Sequence, residues 1–244
     1  MRLYGLIGYP LTHSFSKAWF TEKFEREGLP DCRYELFPLS SMDAFTELLS
    51  SQPGLLGLNV TVPYKKEVIP FLHDSSGIPS GLFACNCIRI RDGKLSGYNT
   101  DWIGFENSLI PMLKPHHQKA LVFGTGGAAE AVQFVLKSLS IPFYNVSRAG
   151  TAANTISYKD ITANIIQSHT LIINTTPVGM YPNVDACPDI PYQHIGKAHL
   201  LYDLVYNPAV TRFLQQGKEN GAAIKNGEEM LVRQAEESWK IWNK

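Results

Sequence analysis

The sequence predicts an α/β protein built as two α/β domains: the first with a mainly parallel sheet, the second Rossmann-like, and a cleft between them. Three observations carry this. Short apolar runs alternate with helical stretches along the chain, the pattern of strands joined by helical crossovers. The run Ala120–Phe123 enters a glycine turn, Gly124 to Gly127, that opens directly into a helix. The series restarts after Lys114-Pro115-His116-His117-Gln118, a stretch with a linker's composition.

Leu3–Gly8 reads as the first strand, and Ser14–Glu27 as an amphipathic helix carrying Ala18, Trp19, Phe20 and Phe24. Arg33–Leu39 follows as a strand, Met42–Ser50 as a helix, and Leu55–Val62 as a strand opening onto Pro63. Cys85–Ile90 and Leu95–Tyr98 form a hairpin about Asp92-Gly93, a strong turn signal. Trp102–Leu113 reads as a helix. In the second series, Ala120–Phe123, Phe143–Val146, Thr170–Asn174 and Leu200–Leu204 are strands, and Ala128–Ser138 is a helix. The last helix, Gly227 to Trp242, puts Met230, Leu231, Gln234, Ser238 and Ile241 on one face. Two readings of Gln234 stay open: a boundary residue reaching water, or a buried amide whose partner is a polar ligand.

The chain has 244 residues, 44% hydrophobic and 18% charged, with 22 Lys plus Arg against 22 Asp plus Glu. That composition is globular rather than disordered. Zero net charge supplies no general attraction to nucleic acid or to anionic membrane, and it permits self-association, so a homodimer is compatible with it. No run approaches about 18 consecutive apolar residues, so no membrane-spanning helix is expected. The opening apolar run breaks at Tyr9-Pro10, too early for a signal peptide, and the expected compartment is the cytoplasm. Cys32, Cys85, Cys87 and Cys187 form no Cys-x-x-Cys pair; free thiols and no metal site are expected.

Gly124-Thr125-Gly126-Gly127-Ala128-Ala129 lies where a strand passes into a helix, and glycines there let backbone approach a pyrophosphate. An NAD site normally carries an acid at the end of the next strand. Here that strand ends in Ser147-Arg148, and no Asp or Glu occurs from Ala131 to Lys159. A guanidinium pairs with a 2′-phosphate that a carboxylate would repel. The expected cofactor is NADP (NADPH).

Three polar clusters follow strands of the first half: His13-Ser14-Phe15-Ser16, Asn59 through Lys65, and Asn99-Thr100-Asp101. Ligands of open α/β sheets bind outside the carboxyl ends of strands. Hydroxyl, amide, ammonium and carboxylate groups together suit a small polyhydroxylated acid. Taken singly, Ser14 reads equally as a helix N-cap and Lys65 with Asp101 as a surface ion pair.

With these motifs the chain resembles the shikimate dehydrogenase family from end to end. The further blocks are Asn99 through Gly104, Gly124 to Ala128, Asn174 through Met180, Asp203 through Pro208 with Thr211, and Gly227-x-x-Met230-Leu231-x-x-Gln234. The resemblance implies reversible NADPH-dependent reduction of 3-dehydroshikimate to shikimate, in chorismate and aromatic amino acid biosynthesis. It implies Lys65 as the acid/base and Asp101 as the group that orients it. Ser14, Ser16, Asn59, Thr61, Asn86, Asp101, Tyr206 and Gln234 would bind substrate, Ser14 and Ser16 taking its carboxylate with Tyr206. Gly124, Thr125, Gly126, Gly127, Ala128, Ser147, Arg148, Thr176, Leu204, Gly227 and Met230 would bind cofactor. Residues 1–101 plus 225–244 would form the substrate-binding domain and 102–224 the NADP-binding domain.

Three positions depart from the family pattern. Lys17 stands where Pro is usual, and Cys87 stands for a Thr and removes its hydroxyl. Ser147-Arg148-Ala149 replaces the common Asn-Arg-Thr, with no second basic residue through Thr155. Alternative functions on the same scaffold are a quinate/shikimate dehydrogenase with relaxed cofactor use and a non-catalytic NADP-binding regulator.

Overall fold

The computed structural model describes residues 1–11, 14–150 and 154–244. His13 of the first polar cluster lies outside them. In chain order the elements begin β1 (Arg2–Gly8), α1 (Phe15–Arg26), β2 (Cys32–Pro38), α2 (Asp43–Ser51), β3 (Leu55–Val60), β4 (Asp74–Gly77), β5 (Cys87–Arg91), β6 (Lys94–Tyr98) and α3 (Asp101–Leu109). They continue β7 (Ala120–Phe123), α4 (Gly127–Ser138), β8 (Phe143–Ser147), β9 (Thr155–Ser157), α5 (Ala163–Ser168), β10 (Leu171–Asn174), β11 (Leu200–Asp203), α6 (Arg212–Glu219), β12 (Ala223–Lys225) and α7 (Glu228–Trp242). The chain divides into two compact units, residues 1–103 with 231–244, and residues 104–230. The two divisions fall within helices α3 and α7.

The first unit holds a six-stranded sheet in the order β2-β1-β3-β5-β6-β4. Strands β2, β1 and β3 run parallel, and β5 joins antiparallel to β3. Six of the seven β1 residues are buried, as expected where a sheet is covered on both faces. Leu3 and Ile7 join the cluster containing Phe45 and Leu48 of α2. Tyr4 and Leu6 point the other way, into a cluster with Phe20 and Phe24 of α1 and Ile241 and Trp242 of α7. Trp242 stacks on Tyr4 at 4.9 Å and donates its indole N–H to the Ile88 carbonyl at 3.0 Å. A Cβ on Gly57 would meet that indole at 2.4 Å, so glycine is what lets α7 dock on β3. The hairpin turns at Asp92 (φ 50°) and Gly93 (φ 71°), the paired left-handed conformation of a two-residue turn.

Three expected segments differ by two residues or more: the strand expected from Cys85 begins at Cys87, and two others are cut short at proline. Strand β3 ends at Val60, and a turn begins at Val62, directly before Pro63, which has no N–H to give a ladder. The helix expected over 102–113 is α-helical only to Leu109; Ile110–Met112, containing Pro111, tightens into a 3₁₀ turn.

The second unit is a six-stranded, fully parallel sheet ordered β12-β11-β10-β7-β8-β9. Counted from β7, this is the 3-2-1-4-5-6 order of a doubly wound nucleotide-binding sheet, which reverses direction between β7 and β10. All four residues of β7, β10 and β11 are buried. At the amino-terminal edge, His117 and His169 are buried, and burial pushes both imidazoles below their ordinary 6.5. Unfolded chain therefore takes up protons at pH 6.5 that folded chain refuses, so this stabilisation is present above pH 6.5 and lost below it. Asn in place of His117 can accept from the Lys114 amide, as Nδ1 does at 3.0 Å, without charging. The parent's melting temperature should fall relative to that of His117→Asn as pH drops from about 7.5 to 5.5; parallel curves would contradict this.

Candidate active site

In the first unit, polar side chains from six elements and their flanking loops converge into one hydrogen-bonded chain. Lys65 Nζ donates to Asp101 Oδ2 at 2.7 Å, and Asn86 Nδ2 donates to Asp101 Oδ1 at 2.8 Å. Asp101 is the first residue of α3, where the helix dipole favours a carboxylate. Asn99 pins it there: its side-chain oxygen accepts from the Asp101 amide, and its Nδ2 donates to the Ala84 carbonyl. The Lys65 and Asp101 side chains are 19% and 10% exposed, sheltered yet open to a ligand. An ammonium has three donors, and one goes to Asp101.

Asn86 is held by Thr100, whose amide donates to Oδ1 at 2.6 Å and whose hydroxyl accepts from Nδ2 at 2.9 Å. The hydroxyl lost at Cys87 is thus not what anchors Asn86. Beyond it, Asn59 donates to Ser238 at 2.9 Å and accepts from the Tyr34 hydroxyl at 2.9 Å; Ser16 also reaches that hydroxyl. Gln234 is only 6% exposed, which rules out the water-reaching reading. Its Oε1 accepts weakly from Thr100 at 3.4 Å and its Nε2 donates to the Leu231 carbonyl at 3.0 Å. Ser14 is the N-cap of α1, accepting from the Lys17 amide at 3.2 Å, a bond the family's usual proline could not make. Thr61 stands one residue beyond β3, its amide on the Ile7 carbonyl. The sequence placed Thr100 in the Asn99–Asp101 cluster without a role of its own, and gave no site role to Tyr34 or to Ser238, although Ser238 lies one helical turn beyond Gln234 on the same face.

In the second unit, Gly124 has φ 103°, and a Cβ there would meet Thr175 Oγ1 at 2.7 Å. Gly126, the N-cap of α4, makes no side-chain cap bond, and a Cβ added to it would meet nothing within 4 Å. No side chain at Gly126 obstructs the approach to the start of α4, which fits a pyrophosphate. Beside this turn is a cleft of about 680 Å³ lined by Gly124, Thr125, Ser147, Arg148, Tyr158 and Thr176 among others. It sits at the carboxyl ends of β7, β8 and β10, where the strand order reverses. Of its lining, Tyr158, Pro177, Val178 and Cys187 to Asp189 had no signal in the glycine motif, because the segments after β9 and β10 supply them.

Asp203 is the buried node behind that cleft. Its Oδ1 accepts from Asn174 Nδ2 at 2.9 Å and the Val205 amide at 3.0 Å, and its Oδ2 from the Thr211 hydroxyl at 2.5 Å. Asn174 passes the restraint on, accepting from the Thr176 amide and hydroxyl at 3.1 and 2.6 Å. Burial pushes Asp203 up to about 6. Tyr206 follows in the loop that Asp203 secures, half-buried, with its phenol raised by burial. Gly227 donates to the Val205 carbonyl, and a Cβ on it would overlap the Leu204 carbonyl; Met230 is buried and Leu204 half-buried.

The sequence model of the shikimate dehydrogenase substrate binding domain matches residues 6–88. Shikimate dehydrogenase (NADP(+)) of Methanococcus maripaludis is 34% identical over 99% of this chain and 91% of its own. A chorismate mutase/shikimate 5-dehydrogenase fusion protein from Clostridium acetobutylicum superposes with TM-score 0.87 at 34% identity, covering 100% of this chain and 91% of that one. Shikimate 5-dehydrogenase from Thermus thermophilus, in complex with NADP(H) and shikimate, gives TM-score 0.87 at 28% identity, covering 99% and 93%. No described helix is long and apolar enough to cross a membrane. The chain belongs to the shikimate dehydrogenase family.

Proposed function

We propose that this chain reduces 3-dehydroshikimate to shikimate with NADPH, reversibly, as a step of chorismate and aromatic amino acid biosynthesis. The observation that carries the reading is the Lys65–Asp101–Asn86 chain, with bonds of 2.7 and 2.8 Å. An ammonium held at one corner by a carboxylate presents its other protons to an oxygen that gains charge. When bound, NADPH supplies the hydride. Lys65 stabilises the alkoxide that reduction leaves and gives it a proton; in the oxidative direction it takes that proton back. Asp101 fixes the ammonium, and Asn86 fixes Asp101. Thr61, Asn86, Asp101 and Gln234 bind the ring hydroxyls, with Asn59 beside them in the substrate site, and Ser14, Ser16 and Tyr206 take the carboxylate. The α4 amides at Gly126–Ala128 hold the pyrophosphate, flanked by Gly124, Thr125 and Thr176, with Leu204, Gly227 and Met230 completing the cofactor contacts. Ser147 and Arg148 favour the 2′-phosphate.

Residues 1–101 plus 225–244 act as the substrate-binding domain and 102–224 as the NADP-binding domain. Partners are small molecules, neither nucleic acid nor membrane, and the chain works in the cytoplasm. A homodimer would scatter light as twice the 27.2 kDa chain.

Steady-state rates with shikimate and quinate, each with NADP and NAD, test the reading. Shikimate with NADP should be preferred over quinate. Equal turnover of quinate would make the protein a quinate/shikimate dehydrogenase. NADPH binding without turnover of 3-dehydroshikimate would make it a regulator.

A further inference from the structure

The connection from β8 to β9 spans residues 148–154, although the two strands are parallel neighbours. Parallel strands ordinarily need a crossover of about a dozen residues or more, usually a helix, and this connection is shorter than that. Ser147 pairs with Ser157 in register. Just past this pair stand Arg148 after β8 and Tyr158 after β9, near enough for the Arg148 charge to act on the phenol. Both line the cleft beside the glycine turn. The Tyr158 ring is fixed from below by Phe123 of β7, 5.7 Å between centroids, and packs on the unit's core. Ser147 also lines the cleft; its hydroxyl accepts from the Gly150 amide at 3.1 Å and keeps its own proton to donate.

We propose that Tyr158 determines cofactor specificity: its hydroxyl joins the Arg148 guanidinium in holding the 2′-phosphate of NADP. This rests on the NADP reading above and supplies a donor besides Arg148 where no second basic residue follows it through Thr155. Burial raises the phenol while the Arg148 charge draws it down, with burial the larger effect. The hydroxyl therefore keeps its proton and is a donor to a phosphate dianion. A guanidinium alone would attract the anion; a fixed phenol beside it adds direction.

The test compares adenosine 2′,5′-bisphosphate with adenosine 5′-monophosphate, which differ only in the 2′-phosphate, by calorimetric titration of the full chain. Tyr158→Phe keeps the ring on Phe123 and removes the donor. It should weaken the bisphosphate by about tenfold and shift the monophosphate less than twofold. Arg148→Gln should act in the same direction. Equal weakening of both nucleotides, or of neither, in Tyr158→Phe while Arg148→Gln still discriminates would overturn the role of Tyr158 alone. Parent protein that binds both nucleotides equally would overturn the NADP reading, and this proposal with it.

Discussion

Lys65→Ala should lower turnover by about 10²-fold or more while changing shikimate affinity little. On the proposed reading the substitution removes at once the proton donor and the cation that stabilises the alkoxide. Binding survives because the ring hydroxyls and carboxylate are held by other side chains on the proposed reading. Lys65→Arg should be impaired as well, since a guanidinium keeps the charge but does not give up its proton near neutral pH. The check is a split between kcat and the dissociation constant measured by titration. Unchanged turnover in Lys65→Ala would remove this residue from the chemistry. Asp101→Asn is expected to be harmful too, because both of its neighbours, Lys65 Nζ and Asn86 Nδ2, are donors. An amide there must turn its own NH₂ toward one of them.

Asp203→Ala should destabilise the protein by about 3 kcal/mol, since three buried donors lose their shared acceptor. Asn174 keeps the Val178 carbonyl at 3.3 Å, but the Val205 amide has its carboxylate partner removed. Asp203→Asn is the informative companion. With the folded carboxyl pushed up to about 6 from 3.8, the folded chain binds more protons than the unfolded chain between those values. This contribution therefore makes stability fall as pH rises through that window, and above it the full cost of the buried charge remains. Calorimetric melting across the window should show this slope in the parent and lose it in Asp203→Asn. An identical slope in both would mean that Asp203 does not titrate there.

Central strands are legible in the sequence because burial on both faces makes them continuous apolar runs, as in β7, β10 and β11. Strands β4, β9 and β12 are not. All three lie at sheet edges, are three or four residues long, and bury too little to leave an alternating pattern. Helix α6 is hidden for a different reason. Gly217 interrupts its helical pattern, yet a Cβ there would meet Leu201 at 2.4 Å, so the glycine exists for close packing on β11. At the site, chemistry within one motif is readable: Lys65, Asp101 and Asn86 come from short ordered blocks. The proposed role of Tyr158 is not, since it comes from register between strands; Thr100 is readable as a member of its cluster, but its bonds to Asn86 are not. Gln234 shows the intermediate case. Periodicity places it on the buried face, but only the folded chain gives it partners.

The most direct measurement is chemical rescue of Lys65→Ala during shikimate oxidation and 3-dehydroshikimate reduction. Added methylammonium, which carries a transferable proton, should raise turnover in proportion to its concentration, while tetramethylammonium should not. Rescue by both cations alike, or by neither in a variant that still binds shikimate and melts like the parent, would contradict a proton transfer at Lys65.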